Sequence, residues 1–289
     1  MKISAFTMIL NPDYWCFPYQ EALQNWSELF DEIIIVDGGS TDGSLEKIKQ
    51  ISDKIKIIYL KWPWDYKQRE FPLHYNFGLK NCTGDWAFKM DIDWLIHETD
   101  FKEFRNKFKE WKTDNPKIMA ISLQKMSMLN RFQYQYKGRM VLGINKRCYD
   151  NKIAMGIIKG NETKCDWTNI IEIKGQKDSV PYGNLINNKN IIDFGIPFYN
   201  YDCFFRTEEK CKEWYKRAAR AYLNETNYPL YGNGDDDSWK MWKNMMRWRL
   251  IKIHPHKMKI GHHPKHIQDK LKQMTPICWG HSNFGWQLD

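Results

Sequence analysis

Short apolar runs alternate with amphipathic stretches over the first 125 residues of the chain. The apolar runs predict strands over residues 3–10, 32–37, 55–60 and 86–90. Apolar residues at helical spacing predict helices over residues 19–30, 44–51 and 71–81. This alternation predicts an α/β fold with a doubly wound, mostly parallel sheet flanked by helices. Sheets of this kind bind ligands at the edge where their strands end.

The pattern is less regular in the second half of the chain. Apolar spacing predicts a helix over residues 99–111, capped by Thr99, and then a strand over residues 117–123. Short β-like runs between residues 130 and 200 predict a sheet extension with loops. Further helices are predicted over residues 207–223 and 238–251, and an irregular tail follows.

The chain contains no internal repeat and no low-complexity linker, so we expect one compact unit. Its main domain is predicted to cover residues 1–225, with a ligand-binding half at 1–125 and a second half at 126–225. Residues 226–289 are predicted to form a helical C-terminal extension that packs on this domain.

The chain has 289 residues and a formal net charge of +9. This charge suits an anionic partner, such as a nucleotide, a lipid phosphate, a nucleic acid or a membrane surface. The lysines are spread along the sequence, so a solvated basic surface also explains the charge.

Other features of the sequence indicate the compartment. No apolar run reaches the roughly 18 residues that a membrane span needs, and the N-terminus lacks the pattern of a signal peptide. The seven cysteines include no CxxC pair, which favours reduced thiols over disulfides or a zinc site. We therefore expect a cytoplasmic protein.

Two carboxylates follow the predicted strand at residues 86–90. Asp91 and Asp93 are two residues apart, so their side chains point to the same side where the strand ends. Two neighbouring carboxylates repel each other, and a divalent cation with oxygen ligands is a common reason for such a pair. The alternative is a solvated loop that carries two aspartates by chance.

Asp37 ends the strand at residues 32–37 and precedes a Gly-rich turn at residues 38–43. A carboxylate there can accept hydrogen bonds from a nucleobase or a ribose hydroxyl, and the glycines allow a sharp turn. We expect a binding role for Asp37, because a carboxylate at a strand end has no capping task of its own. Ser40, Thr41 and Asp42 are expected only to cap the next helix.

These stretches together resemble a known family. The run EIIIVDGGSTDGS from Glu32, the run NFGLKNCTGDW from Asn76 and the D-x-D at Asp91 are similar, in order and spacing, to family 2 glycosyltransferases with the GT-A fold. The resemblance implies transfer of a sugar, with inversion, from a nucleotide diphosphate donor to an acceptor hydroxyl. It assigns the donor to residues 1–125 and the acceptor to residues 126–225.

The resemblance also implies roles for single residues. Asp37 would bind the base or ribose of the donor, while Asp91 and Asp93 would bind its diphosphate through Mn²⁺ or Mg²⁺. Many relatives carry an arginine just before Asn76, where this chain has Tyr75. Arg69 is the predicted substitute for donor binding, although it is equally well explained as a solvated surface charge.

Two segments of the second half resemble further family motifs. In some members a strand with a histidine leads into an R-x-x-E helix start, and here that histidine aligns with Tyr201 or Asp202. Asp202 is therefore either an oxygen ligand or a loop carboxylate. The run Gly261-His-His-Pro264 resembles a Gly-x-His-Pro segment, which makes His263 a predicted metal ligand.

An inverting transfer needs a general base that takes a proton from the acceptor hydroxyl. The candidates are Glu162, Asp166, Asp202 and the run at residues 235–237. The run precedes a predicted helix, so we interpret it as a complement to the helix dipole. We predict Asp166 as the leading catalytic base and Asp202 as the second.

The predicted helix at residues 238–251 has one apolar side with two tryptophans and a basic remainder. It would either pack on the catalytic domain or touch a membrane that carries a lipid-linked acceptor, and we favour packing. The acceptor itself is expected to be a glycan, a lipid-linked molecule or a protein.

Two other functions remain as alternatives. A nucleotidyltransferase would also use acidic metal ligands on an α/β sheet, but residues 10–18 contain no Gly, Lys or Arg for a phosphate loop. A non-catalytic nucleic-acid or glycan-binding protein would fit the charge and the aromatic residues. No clustered basic stripe supports nucleic-acid binding, so no nucleic-acid partner is expected.

Overall fold

The computed structural model describes residues 1–62, 70–110, 120–146, 172–173, 191–226, 235–252 and 255–285. The strands are β1 (Ile3–Ile9), β2 (Glu32–Asp37), β3 (Ile55–Tyr59), β4 (Trp86–Lys89), β5 (Trp94–Ile96), β6 (Ala120–Asn130), β7 (Gln133–Asn145), β8 (Glu172–Ile173), β9 (Ile191–Asn200) and β10 (His256–Lys257). The helices are α1 (Tyr19–Leu29), α2 (Ser44–Lys49), α3 (Glu70–Asn81), α4 (Phe101–Glu110), α5 (Glu208–Thr226), α6 (Asp235–Lys252), α7 (Lys265–Lys272) and α8 (Trp279–Ser282).

The first four strands are parallel and lie in the order β3-β2-β1-β4. The chain leaves β1 toward β2 and β3, and then returns past β1 to form β4 on its other side. This reversal makes the boundary between β1 and β4 a topological switch point, where open α/β sheets bind ligands. The predicted α/β fold with a parallel, doubly wound sheet is confirmed.

Helices cover both faces of this parallel half. Leu23 and Trp26 of α1 are fully buried in the main core on one face. On the other face, α3 approaches the sheet closely at Gly78, where a Cβ atom would lie 3.1 Å from Cγ2 of Val36. The central strand β2 is consequently buried on both sides, which explains its uninterrupted run of isoleucines.

The turn before β4 joins the amino ends of three strands. Thr83 N donates to Glu32, and the Lys2 amide donates to Asp85. A side chain at Gly84 would place its Cβ 2.6 Å from Oγ of Ser4, so the close approach requires glycine. This part of the family-like motif therefore has a structural role, at the end of β4 opposite Asp91.

The second half of the sheet is mostly antiparallel. Strand β7 pairs with β4, and the order continues β7-β6-β9-β5, with β8 and β10 also paired to β7. Among the described strands of this half, only β6 and β9 run parallel to each other. The predicted sheet extension is thus present. Its long strands β6, β7 and β9 have 10 to 13 residues, and the predicted strand at residues 117–123 covered only the start of β6.

Helix boundaries differ from the predictions at two places. Thr99 does not cap α4; it lies in a short 3₁₀ turn, where its own amide donates to the His97 ring. Helix α6 begins at Asp235 and not at Ser238, so the acidic run occupies its first turn, as the dipole interpretation requires. Thr207 does cap α5, because its hydroxyl accepts a hydrogen bond from Lys210 N.

The C-terminal helices pack against two cores. Trp242 and Met246 of α6 are buried with Tyr215 of α5 in a separate aromatic cluster. Ile267 and Leu271 of α7 instead enter the main core. The buried apolar residues of α6 thus face the protein, in line with the favoured interpretation, while the proposed division at residue 225 stays a prediction.

Across the described ranges, no helix has the length and apolar character needed to cross a bilayer.

Candidate active site

The carboxyl ends of β1, β2 and β4 meet beside the switch point. Asn11 follows β1, Asp37 ends β2, and Asp91 and Asp93 follow β4. Since these strands are parallel neighbours, the four polar residues lie along the same edge of the sheet. The fold therefore brings the predicted donor residues together at the edge expected for a ligand.

Asp37 is 3% exposed and caps the turn that follows it. Its carboxylate accepts hydrogen bonds from Gly39 N at 3.1 Å and from Ser40 N at 3.0 Å. The expectation that this residue has no capping task is therefore wrong. An ionised carboxylate offers about four acceptor positions, so two backbone bonds leave capacity for a ligand.

The turn after Asp37 is braced by the end of β1. The Asn11 side chain accepts from Thr41 N at 2.7 Å, and the Ser40 hydroxyl accepts from Asn11 N at 2.9 Å. Asp42 accepts from the backbone amide of Ser44, the first residue of α2, but the N-cap residue is Gly43. The expectation that Ser40 caps this helix is wrong, because its hydroxyl pairs with Asn11. These contacts explain Ser40, Thr41 and Asp42 by structure alone.

One oxygen of Asp91 has two internal partners. The Tyr75 hydroxyl donates to Oδ1 at 2.5 Å, and Nζ of Lys89 lies 2.5 Å from the same atom. Tyr75, which stands where the family resemblance predicts an arginine, thus contacts the D-x-D directly. The Asp91 side chain is 31% exposed, which leaves it reachable from outside.

Lys89 is a buried cation at the end of the apolar strand β4, with a side chain only 1% exposed. Its ammonium lies 4.3 Å from the ring centre of Trp94 and 4.8 Å from that of Tyr75. Burial lowers the pKa of Lys89, and the negative charge of Asp91 opposes this shift. Trp94 thus contributes an aromatic face to the ammonium.

Asp93 is buried and carries a strongly perturbed carboxyl group. Burial, together with the nearby carboxylates of Asp202 and Asp91, raises the pKa of Asp93 to about 8. Its backbone carbonyl accepts a hydrogen bond from Tyr201 N at 3.1 Å. The second half of the chain therefore reaches the D-x-D directly, through the segment at residues 200–206.

Asp202 lies in a tight bend supported by a buried arginine. Cys203 adopts a left-handed backbone conformation with φ of 62°, which is unusual for a residue with a side chain. Arg206 is fully buried, donates to the Trp15 carbonyl at 2.9 Å, and lies 3.6 Å from Oδ1 of Asp202. The Asp202 side chain itself remains 53% exposed, so it faces solvent beside the buried Asp93.

Asp91 and Asp93 are the candidate ligands for a divalent ion. Within the ranges that the structure describes, no three His, Cys, Asp or Glu side chains form a group that could hold a metal by themselves. Asp91 and Asp93 nevertheless supply the carboxylate oxygens that Mg²⁺ and Mn²⁺ take. Because Mg²⁺ is usually held by one or two carboxylates together with substrate phosphates, the residues fit an ion that binds along with a diphosphate.

Comparison with known proteins identifies the family. Residues 20–162 match the family model described as Glycosyl transferase family 2. The chain carries a family 2 glycosyltransferase domain. The predicted family is thereby confirmed, and the match includes the Asp37 turn and the D-x-D.

Individual relatives of this glycosyltransferase domain are distant. A stretch of 96 residues is 30% identical to the lipopolysaccharide core biosynthesis glycosyltransferase LpsC of Rhizobium meliloti (strain 1021), and it covers 32% of this chain and 32% of that protein. The match thus spans about a third of the length of the curated relative.

Two solved structures are similar at low sequence identity. TarS 1-349 of S. aureus is 14% identical with a TM-score of 0.45, over 88% of this chain and 74% of that chain. The mannosyltransferase PcManGT from Pyrobaculum calidifontis, in complex with GDP-Man and Mn²⁺, is 16% identical with a TM-score of 0.36, over 50% and 45% of the two chains.

His263 has a structural environment in this glycosyltransferase. It is fully buried, its Nδ1 lies 2.8 Å from the Tyr201 hydroxyl, and its Nε2 donates to the Arg131 carbonyl at 3.1 Å. Both ring nitrogens are therefore engaged, and a metal ligand needs one of them free. The geometry argues against the predicted metal role and favours a role in fixing Tyr201 next to Asp93. The neighbouring His266 contacts Glu28 instead, so the histidines do not converge.

Some predicted residues lie outside the described ranges. They are Arg69, Glu162 and Asp166. Their roles stay predictions.

The structure adds Lys89, Tyr75 and Arg206 to the surroundings of the D-x-D. A signal for Lys89 was present in the sequence, because a lysine within an apolar strand must find a counter-charge. It also lies two residues before Asp91, on the same side of the strand.

Proposed function

We propose that this family 2 glycosyltransferase moves a sugar from a nucleotide diphosphate donor to an acceptor hydroxyl, with inversion and with a divalent ion. The observation that carries the proposal is the position of Asp37, Asp91 and Asp93 along one edge of the sheet, beside its switch point. Acidic groups on one ligand edge suit a ribose or base at one end and a metal-bound diphosphate at the other.

The donor would lie across the ends of β2, β1 and β4. Asp37 keeps its position through the Gly39 and Ser40 amides, and its remaining lone pairs would accept from the nucleoside. Asp91 and Asp93 would hold Mn²⁺ or Mg²⁺. When bound, such an ion supplies positive charge that stabilises the diphosphate as it leaves.

Asp202 is the better supported general base of the two predicted. Its carboxylate is solvent-exposed next to the D-x-D, where an acceptor hydroxyl would approach, and Arg206 lies on its inner side. In this role the Asp202 carboxylate takes the proton of the acceptor hydroxyl as the hydroxyl oxygen attacks the sugar. Attack from the side opposite the diphosphate gives inversion.

The acceptor is a glycan, a lipid-linked molecule or a protein in this proposal. The curated relative LpsC is named for lipopolysaccharide core biosynthesis, so glycan acceptors are the first class to screen. Lipid-linked and protein acceptors form the second panel.

A nucleotide screen tests the donor and metal parts. Thermal shift with nucleoside diphosphates should show stabilisation that increases with Mn²⁺, because a ligand that binds only the folded state stabilises it. Asp91→Asn and Asp93→Asn should each abolish the metal-dependent part and reduce turnover by at least about 100-fold. Asp269→Asn, at an exposed position on α7, is the control that should behave like wild type.

The donor and metal proposal fails if both D-x-D variants keep wild-type turnover and nucleotide affinity. Release of pyrophosphate from a nucleoside triphosphate and a sugar phosphate would indicate the nucleotidyltransferase instead.

The base is tested separately with Asp202→Asn. Turnover should fall by about 10²–10⁴-fold while nucleotide affinity stays within a factor of about three. Unchanged turnover would move the role to Asp166 or Glu162. The anomeric configuration of the product, read by NMR, decides between inversion and retention.

A further inference from the structure

The two oxygens of the Asp91 carboxylate have different surroundings. Oδ1 lies 2.5 Å from the Tyr75 hydroxyl and 2.5 Å from the Lys89 ammonium, and both of these groups approach it from the protein interior. No hydrogen bond or ion pair to Oδ2 occurs within the described part of the chain. Because the side chain is 31% exposed, Oδ2 is the oxygen that a metal ion can reach.

The Lys89 ammonium cannot withdraw from this position easily. Its side chain is 1% exposed, and the rings of Trp94 and Tyr75 lie 4.3 Å and 4.8 Å from it. A divalent ion on Oδ2 would therefore share one carboxylate with a fixed positive charge only a few ångströms away. At that separation, inside a protein, repulsion between the two cations is strong.

A nucleotide diphosphate changes this balance because it brings several negative charges to the same place. We propose that Lys89 is a built-in counter-cation that makes metal binding at Asp91 conditional on the nucleotide diphosphate. The ion alone binds weakly against Lys89, while the ion and the diphosphate together bind well. This inference rests on the proposed function, since it assumes that the D-x-D receives both.

Thermodynamic linkage allows the coupling between Mn²⁺ binding and diphosphate binding to be measured. If the diphosphate raises the affinity for Mn²⁺ by a given factor, then Mn²⁺ raises the affinity for the diphosphate by the same factor. Removing the Lys89 charge should tighten Mn²⁺ binding in the absence of nucleotide. It should also reduce the coupling factor, because the diphosphate then has less positive charge to offset.

The experiment is a calorimetric titration of the full chain with Mn²⁺, without nucleotide and with saturating UDP or GDP. Lys89→Met should bind Mn²⁺ alone at least about tenfold more tightly than wild type, and its coupling factor should fall by a similar amount. Lys89→Gln, which is polar and uncharged, carries the same expectation if the methionine variant does not fold.

Two controls separate competition at Asp91 from other effects. Lys125→Met removes a second nearby positive charge, whose ammonium lies 5.8 Å from the Trp94 ring centre and acts on Asp93. Tyr75→Phe removes the other partner of Oδ1 without any change of charge. Tyr75→Phe should shift the affinity for Mn²⁺ alone by less than about threefold, and Lys125→Met should tighten it clearly less than Lys89→Met does, since neither removes the charge that shares the Asp91 carboxylate.

The inference is overturned if both Lys89 variants bind Mn²⁺ alone no more tightly than wild type, or if Lys125→Met tightens binding as much as Lys89→Met. Failure of the proposed function looks different. In that case wild type binds no nucleoside diphosphate with or without Mn²⁺, whatever the Lys89 variants do.

Discussion

At the scale of single residues, the sequence predicts the acidic residues at the strand ends. It predicts only some of the residues that contact them. Asp37, Asp91 and Asp93 follow from where apolar runs stop and from the alternation of side chains. Lys89 lies on the same side of the same strand as Asp91, so their contact is also local. The partners of His263 are 62 and 132 residues away in sequence, and no local pattern indicates them.

The environment of His263 gives a prediction for stability against pH. Burial lowers the pKa of His263 from its ordinary value of 6.5 to about 4. As the pH falls below 6.5, His263 binds a proton in the unfolded chain, whereas in the folded protein it does not bind one until about pH 4. Folding therefore loses stability across this window, by an amount on the order of 3 kcal/mol.

The measurement is urea unfolding of wild type and His263→Gln between pH 4 and pH 7. The variant should lose less stability than wild type as the pH falls, so their difference should shrink toward pH 4. His262→Gln, at an exposed neighbouring position, should run parallel to wild type. Parallel curves for His263→Gln would contradict the role of this residue.

At the scale of elements, the short strand β5 depends on a helix. The three residues of β5 lie beside Asp93, and α1 holds them by side chains. Trp26 Nε1 donates to the Trp94 carbonyl at 2.7 Å, and the Asn25 amide bonds both the carbonyl and the N–H of Ile96. The helical spacing of apolar residues in α1 was visible in the sequence, whereas β5 is too short to show an alternation of apolar and polar residues.

Asn25→Ala tests this anchoring. It leaves two backbone groups of Ile96 without partners in a buried place, so the free energy of unfolding should fall by about 2–4 kcal/mol. Affinity for the donor should fall as well, because β5 supports the D-x-D. Gln24→Ala, on the exposed side of the same helix, should change stability by less than about 0.5 kcal/mol.

Equilibrium unfolding in urea gives both stabilities. Equal stability of the Asn25 and Gln24 variants would show that α1 does not hold β5.

At the scale of the whole molecule, the C-terminal segment belongs to the main core. Leu271 of α7 is fully buried there, and Lys270 and Lys265 of the same helix pair with Glu21 and Glu28 of α1. The parallel half of the sheet could be predicted because its crossovers connect neighbours in sequence. The pairing of β6 with β9 could not, since it joins strands about 70 residues apart and local patterns do not encode register.

Leu271→Ala tests whether α7 and the sheet unfold together. The loss of a buried leucine should cost about 2–5 kcal/mol and lower the midpoint of one cooperative transition. Lys272→Ala, at the end of the same helix, should leave the midpoint nearly unchanged. A separate early transition for the C-terminal segment, seen by tryptophan fluorescence but not by far-UV circular dichroism, would contradict a shared core.

The hydrogen bond from Tyr201 N to the Asp93 carbonyl has a consequence for biosynthesis. A ribosome adds roughly 5–20 residues per second, so Asp93 emerges several seconds before the segment that completes its surroundings. During that interval the nascent chain lacks the segment that encloses Asp93, although β7, the partner of β4, has already emerged. Chaperone dependence during translation should therefore centre on this interval, and pausing of the ribosome between the two halves would prolong it.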